Sequence, residues 1–243
     1  MESAAQIDRG KQTDGDEKMY LKNRYDRNRI FSKDQQDELG EKRAAVIGCG
    51  GLGGYAIEML ARTGVGHLIV CDGDVFDETN LNRQLLCTED VLGKSKAEAA
   101  AERIKAVNSE TEAEAFCCNL TEENSDEILA GCDVVIDALD SVGAKLMLQR
   151  VCRRQEIPMI HGAIGGWFGQ VTTIFPGNDT LSLIYPDNTE VSQELGNPSF
   201  SPAMTAAIQV SEAVKVMLGR GDVLMRKLLF IDLMTNDFQI VEV

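Results

Sequence analysis

A glycine-rich turn, Gly48-Cys-Gly50-Gly51-Leu-Gly53, follows a short apolar run and opens a stretch with helical spacing. That context lifts a G-x-G-x-x-G pattern above a chance match. Glycines there let backbone N–H groups approach a phosphate closely, and a helix N-terminus stabilises its negative charge. Asp72 ends the next apolar run about 20 residues on, where a carboxylate accepts hydrogen bonds from ribose hydroxyls. The residues that follow bear on which nucleotide would bind. Asn80-Leu-Asn82-Arg83-Gln84 gathers amides and a guanidinium, and Gly93-Lys94-Ser95-Lys96 adds ammonium groups at the start of another helix. A dinucleotide has only a pyrophosphate, already served by the glycine loop, whereas a triphosphate carries further charge that needs cations. Asp137-Ala-Leu-Asp140 ends a later strand and puts a carboxylate where Mg2+ bound to phosphates would meet it. Asp140 would serve equally well as the N-cap of the helix after it.

Strands and helices must alternate to bring these residues together. Ala44 to Gly48 reads as a buried strand, Gly53 to Thr63 as a helix and His67 to Cys71 as a second strand, which makes a βαβ unit. The pattern continues with helix Ser95 to Val107, strand Glu114 to Cys118, helix Asp126 to Leu129, strand Val134 to Leu139, helix Ala144 to Gln155 and strand Met159 to Ala163. Such alternation requires parallel strands with right-handed crossovers, hence an α/β, doubly wound, Rossmann-like sheet. After Gly165 the rhythm breaks. Gln170 to Phe175, Leu228 to Leu233 and Phe238 to Val243 read as antiparallel strands, so the sheet is mixed, with a parallel N-terminal part and antiparallel C-terminal strands. Residues 176 to 202 hold four of the five prolines and little periodicity, and read as a long crossover loop. Helical spacing then runs from Met204 to Leu218.

At 243 residues the chain suits one core, expected over 19–243, after a leader at 1–18 that has too few bulky apolar side chains to offset its ordering entropy. With 24 Lys+Arg against 39 Asp+Glu, the net charge of -15 repels a phosphate backbone over most of the surface, so nucleic acid is disfavoured as main partner. No apolar run suits a membrane span and no secretory signal pattern begins the chain, so a cytoplasmic protein is expected. Seven Cys without a C-x-x-C pair indicate neither a disulfide framework nor a zinc knuckle. Cys87, His67 and His161 read as structural residues, while Trp167 and Phe168 suit either the core or a groove beside the crossover loop.

Arg24-Tyr-Asp-Arg27, the glycine motif Gly48 to Gly53, Asp72-x-Asp74, Asn80-Leu-x-Arg83-Gln84, Gly93-x-x-Lys96 and Asp137-x-x-Asp140 occur in an order that resembles the ThiF/MoeB/HesA branch of the ubiquitin-activating enzyme superfamily. The resemblance runs from about Arg24 to Val243 and implies an adenylyltransferase. In that family ATP and a small ubiquitin-like sulfur carrier ending in Gly-Gly meet at the carboxyl edge of the sheet, and the product is an acyl-adenylate plus pyrophosphate. By position, the resemblance implies that Gly48, Gly50, Gly51, Gly53, Asp72 and Asp74 belong to the nucleotide set. Asn80, Arg83, Gln84 and Lys96 would hold phosphates, and Asp140 would meet Mg2+. The family's early arginine reaches the triphosphate of the partner subunit, so Arg27 implies a homodimer with composite sites.

Some features depart from the family pattern. Ser141 stands where the family often has Asn, and it can still cap a helix. Leu181-Ser-Leu-Ile184 occupies the region of the first zinc C-x-x-C pair, and the chain stops before the second, so zinc is not expected. No cysteine falls in the crossover segment, which favours adenylation without a thioester step. Three alternatives stand beside a carrier of ThiS or MoaD type: ATP-dependent cyclisation of threonylcarbamoyladenosine in tRNA, an NAD-binding oxidoreductase and a non-catalytic dimerisation scaffold. The oxidoreductase reading leaves Asn80 to Gln84 idle, and the intact nucleotide motifs argue against the scaffold.

Overall fold

Runs such as Ala44-Ala-Val-Ile and Leu68-Ile-Val lack the polar alternation of a half-solvated strand, so they fold as strands covered on both faces. The computed structural model describes residues 23–186 and 195–243. The expected leader at 1–18 and the middle of the crossover segment lie outside the described residues. The parallel strands are β1 (Arg43–Ile47), β2 (His67–Cys71), β3 (Glu112–Phe116), β4 (Val134–Asp137) and β5 (Met159–Gly165). The antiparallel strands are β6 (Phe168–Ile174), β7 (Lys227–Asp232) and β8 (Asp237–Glu242). One sheet orders them β3-β2-β1-β4-β5-β6-β7-β8. The fold is α/β and doubly wound, with the mixed sheet expected from sequence. Strand order reverses between β1 and β4, which pair Ile47 with Asp137, and a crevice opens there at the carboxyl ends.

The helices are α1 (Lys33–Glu41), α2 (Gly51–Thr63), α3 (Lys96–Val107), α4 (Ser125–Ile128), α5 (Val142–Arg154), α6 (Thr180–Ile184) and α7 (Phe200–Met217). Alternate side chains of each central strand feed opposite layers. Ala44, Val46, Leu68 and Val70 pack with Ile57 and Leu60 of α2, Ile104 of α3 and Ala213 of α7. Ala45, Ile47 and Ile69 pack with Ile128 of α4, Leu148 and Val151 of α5 and Leu181 of α6. Among the described residues no helix is long and apolar enough to cross a membrane.

Several element bounds differ from the sequence expectation, and three of the differences have a local reason. β3 ends at Phe116 rather than Cys118, because this edge strand pairs Cys71 with Phe116 and its Glu112-Ala-Glu114-Ala alternation suits a half-solvated face. Within the segment read as loop, α6 forms and buries Leu181, whose N–H donates to Gln149 Oε1 at 2.8 Å. α7 begins at Phe200, four residues before Met204, and takes Pro202 into its first turn, where no backbone N–H is required.

Candidate functional site

The crevice between β1 and β4 is a cleft of about 680 Å³. Gly48 follows β1 at φ +96°, and a Cβ there would lie 2.6 Å from the carbonyl oxygen of Ala138, so only glycine fits. A Cβ on Gly53 would sit 1.8 Å from Gly48 O, which makes this glycine the contact that seats α2 against its own loop. Gly50 and Gly51 line the cleft at the N-terminus of α2, where free N–H groups and the helix dipole favour an anion.

Asp72, at the end of β2, lines the same cleft. Its Oδ2 accepts from Cys49 N at 2.7 Å and its Oδ1 from Asp74 N at 2.8 Å, so the two loops are tied together while each oxygen keeps a lone pair for a hydroxyl donor. Lys96 is nearly buried, and its Nζ lies 3.0 Å from Asp74 Oδ2. Arg83 curls onto Thr79 O at 2.8 Å and Asn82 Oδ1 at 3.0 Å, at the cleft wall. Gln84 is buried beside Gly50, and its Oε1 has no hydrogen-bond partner among the described residues. An orphaned buried acceptor is costly in water-excluded surroundings, so this one is suited to a bound group that donates.

Asp140 lines the cleft, exposed, and its carboxylate makes no hydrogen bond or ion pair among the described residues. The cap it would have provided is supplied by its neighbour: Ser141 is the N-cap of α5, and its Oγ accepts from Ala144 N at 3.3 Å. The capping role proposed for Asp140 is therefore corrected to Ser141. A single free carboxylate facing a phosphate site fits Mg2+, which uses one or two protein carboxylates and completes its shell with water and phosphate oxygens. Asp74 is held by Lys96, and Asp137 is fully buried, so neither offers an equivalent free carboxylate.

Gly53, buried in α2, and two other residues assigned from sequence do not line the cleft. Asn80 is buried, and its side chain closes a capping box with Asp77, accepting from Asp77 N at 3.2 Å. Its amide therefore shapes the turn that presents Asn82, Arg83 and Gln84. Arg27 is exposed at the far end of α2, where Tyr25 packs on Gly64 and Asn28 donates to Thr63 O at 3.4 Å. The 13 residues of α2 span about 20 Å, longer than an arginine side chain, so Arg27 cannot enter the cleft of its own chain.

Beneath the β4–β5 side lies a polar network that sequence reasoning missed. Asp137 is fully buried, accepts from Lys145 Nζ at 3.2 Å on both oxygens and meets His161 Nδ1 at 2.7 Å. Lys145 also donates to Gly162 O at 2.9 Å. Tyr185 OH lies 3.3 Å from His161 Nε2. Burial opposes ionisation of Asp137, yet the Lys145 ammonium and the His161 contact hold its carboxyl below the usual carboxylate range. Burial holds the His161 imidazole below its ordinary value against the pull of Asp137. Lys145 stands in the first turn of α5, and its helical offset from Ser141 was a signal in the sequence; that it points inward was not.

Two thiols, Cys71 at the cleft and Cys87, are poor nucleophiles. Burial, with Cys118 beside it, pushes the Cys71 thiol up to about 12. Burial and Asp77 raise that of Cys87, whose Sγ contacts Asp77 O. At the β5–β6 turn Trp167 packs against Phe200 with centroids 4.7 Å apart and the rings tilted by 42°, and both are partly exposed (42% and 40%), so they form a rim and not core.

The ThiF family model matches residues 25–243. The chain belongs to the ThiF family. It is 36% identical over 226 residues to the SAMP-activating enzyme E1 of Haloferax volcanii, an alignment covering 90% of this chain and 84% of that protein. It is 32% identical over 205 residues to the sulfur carrier protein ThiS adenylyltransferase of Bacillus subtilis, covering 81% of this chain and 61% of that one. Among solved structures, E. coli tRNA N6-threonylcarbamoyladenosine dehydratase, TcdA, superposes with a TM-score of 0.71 at 28% identity, covering 83% of this chain and 96% of that one.

Proposed function

We propose that this ThiF family member uses ATP and Mg2+ to adenylate the C-terminal carboxylate of a small ubiquitin-like sulfur carrier ending in Gly-Gly. Its relatives are named as activating enzymes and adenylyltransferases, and the chain is an adenylyltransferase of that type. One observation carries the substrate reading. The glycine loop, Asp72, Arg83, Lys96 and Asp140 line one cleft at the switch point, which suits a triphosphate with both a cradle and cations. A carboxylate oxygen of the carrier bonds to the α-phosphorus as the bond to the bridging oxygen breaks, and the electron pair leaves with pyrophosphate. No proton moves, because a terminal carboxylate is already ionised near pH 7. Arg83, Lys96 and the α2 N-terminus match the charge that spreads over phosphate oxygens; Asp140 would hold Mg2+, which would supply further charge neutralisation.

The position of Arg27 supports a homodimer. Shut out of its own cleft and exposed, it is free to reach the site of a second copy. Labelled pyrophosphate should exchange into ATP only with Mg2+ and a ThiS-type carrier bearing its Gly-Gly end. Equal exchange with a carrier lacking those two residues would sink the mechanism. A second reading, activation of threonylcarbamoyladenosine in tRNA, draws on the 28% identity to TcdA and is opposed by the charge of -15. ATP hydrolysis stimulated by tRNA and not by any carrier would favour it.

A further inference from the structure

Three cations among the described residues line the cleft: Arg83, Lys96 and Lys145. Arg83 and Lys96 belong to the β2 side, with the glycine loop and Asp74. Lys145 alone stands on the β4–β5 side, against the backbone of Gly162 at 2.9 Å. If the β2 side takes the nucleotide, the β4–β5 side is left for the acyl substrate, and Lys145 is the described cation it meets there.

Stability does not account for this lysine. Its side chain is 5% exposed and that of Asp137 fully buried, and burying such a pair costs desolvation that apolar replacements avoid. Asp137 takes the ammonium on both oxygens at 3.2 Å and Gly162 O accepts from it at 2.9 Å, while the lysine lines the cleft on its remaining side. Asp137 is fixed in turn by His161 and by Leu139 N, which donates to its Oδ1 at 3.1 Å. The ammonium is thereby aimed by groups that cannot move without opening the core.

We propose that Lys145 is the residue that receives the terminal carboxylate of the acyl substrate and orients it toward the α-phosphate. The proposal rests on the adenylation reading. Because Asp137 already shares the ammonium, the incoming carboxylate is oriented without losing much of its negative charge, and it stays nucleophilic. A carrier with its terminus blocked as a carboxamide offers no charge for this contact.

The test measures binding of a ThiS-type carrier ending in Gly-Gly, with either a free carboxylate or a C-terminal carboxamide, to wild type and variants, alongside ATP affinity. Wild type should prefer the carboxylate by about tenfold, the scale of one charge-assisted hydrogen bond. Lys145→Met should bind both forms equally, at the affinity of the carboxamide, and Lys145→Arg should recover part of the preference. ATP affinity should stay within about twofold in both. Asp137→Asn with Lys145→Met removes both buried charges, avoids stranding Asp137, and should reproduce the single Met variant. Retention of the tenfold preference in either Met variant would overturn the proposal. So would a parallel loss of ATP affinity, or a wild type that exchanges pyrophosphate yet binds both carriers alike. A wild type that neither exchanges pyrophosphate nor distinguishes the carriers would instead bring down the adenylation reading itself.

Discussion

Asp140 and Ser141 are adjacent, and the structure gives them separate work, which makes a paired substitution informative. Ser141 Oγ caps α5 through Ala144 N, whereas among the described residues no group holds the Asp140 carboxylate at the cleft. Ser141→Ala should therefore cost about 1 kcal/mol, the usual loss of an N-cap, and lower Tm by roughly 2–4 °C for a chain of this size. Its turnover should stay within about threefold of wild type. Asp140→Asn should change stability by less than about 0.5 kcal/mol, since an exposed side chain without a partner is replaced by one of equal size. Its pyrophosphate exchange should fall by about 100-fold or more, because an amide contributes no charge to a hard cation beside the transferring phosphoryl group. A hundredfold loss corresponds to about 2.7 kcal/mol. ATP binding without Mg2+ should be retained or tightened, as the carboxylate repels bare phosphates. Thermal melts and exchange assays at saturating Mg2+ read both arms. An Asp140→Asn protein that loses about 1 kcal/mol of stability and keeps near-normal turnover would reverse the two roles and refute the reasoning.

Other expectations follow from single contacts. Mixing Arg27→Ala with Lys96→Ala subunits should restore one competent site per mixed dimer from two nearly inactive parents; no gain despite demonstrated subunit exchange would remove Arg27 from the partner's site. Gly53→Ala should destabilise by about 3 kcal/mol, because its Cβ would meet Gly48 O at 1.8 Å, while Gly51→Ala, which meets only Pro202 at 3.6 Å, should melt within about 2 °C of wild type. Both Asp137 and His161 hold their protons less readily in the folded protein, so the unfolded chain binds more protons and stability rises with pH. The His161 part should be lost below about pH 6.5 and the Asp137 part below about pH 4. Urea midpoints at pH 5 and 7 should therefore differ less in His161→Asn than in wild type; an unchanged difference would show that His161 does not titrate with folding.

The order and chemistry of the nucleotide end were written in local sequence. A glycine turn between an apolar run and a helix, then Asp72 after the next run, specifies a β1-loop-α2-β2 unit, because period, turn chemistry and strand burial all agree there. The same holds for the antiparallel finish, where β5 and β6 meet at Gly166 with φ +57°. What side chains do once placed was decided by tertiary contacts. Asn80 and Lys145 are polar residues near the cleft, yet one is consumed by a capping box and the other is aimed by Asp137, 8 residues away in sequence, and by Gly162 on the next strand. Whether Asp140 or Ser141 caps α5 depends on where the helix starts, and local sequence leaves that boundary open by a residue or two. The distance of Arg27 from the cleft follows from α2 lying between them, a separation that exists only after the chain has packed. Residue types and spacing thus determined which chemistry the chain carries, because backbone turns and strand periods are local. Packing decided which side chains are free to perform it, because burial and hydrogen-bond partners come from residues far apart in the chain.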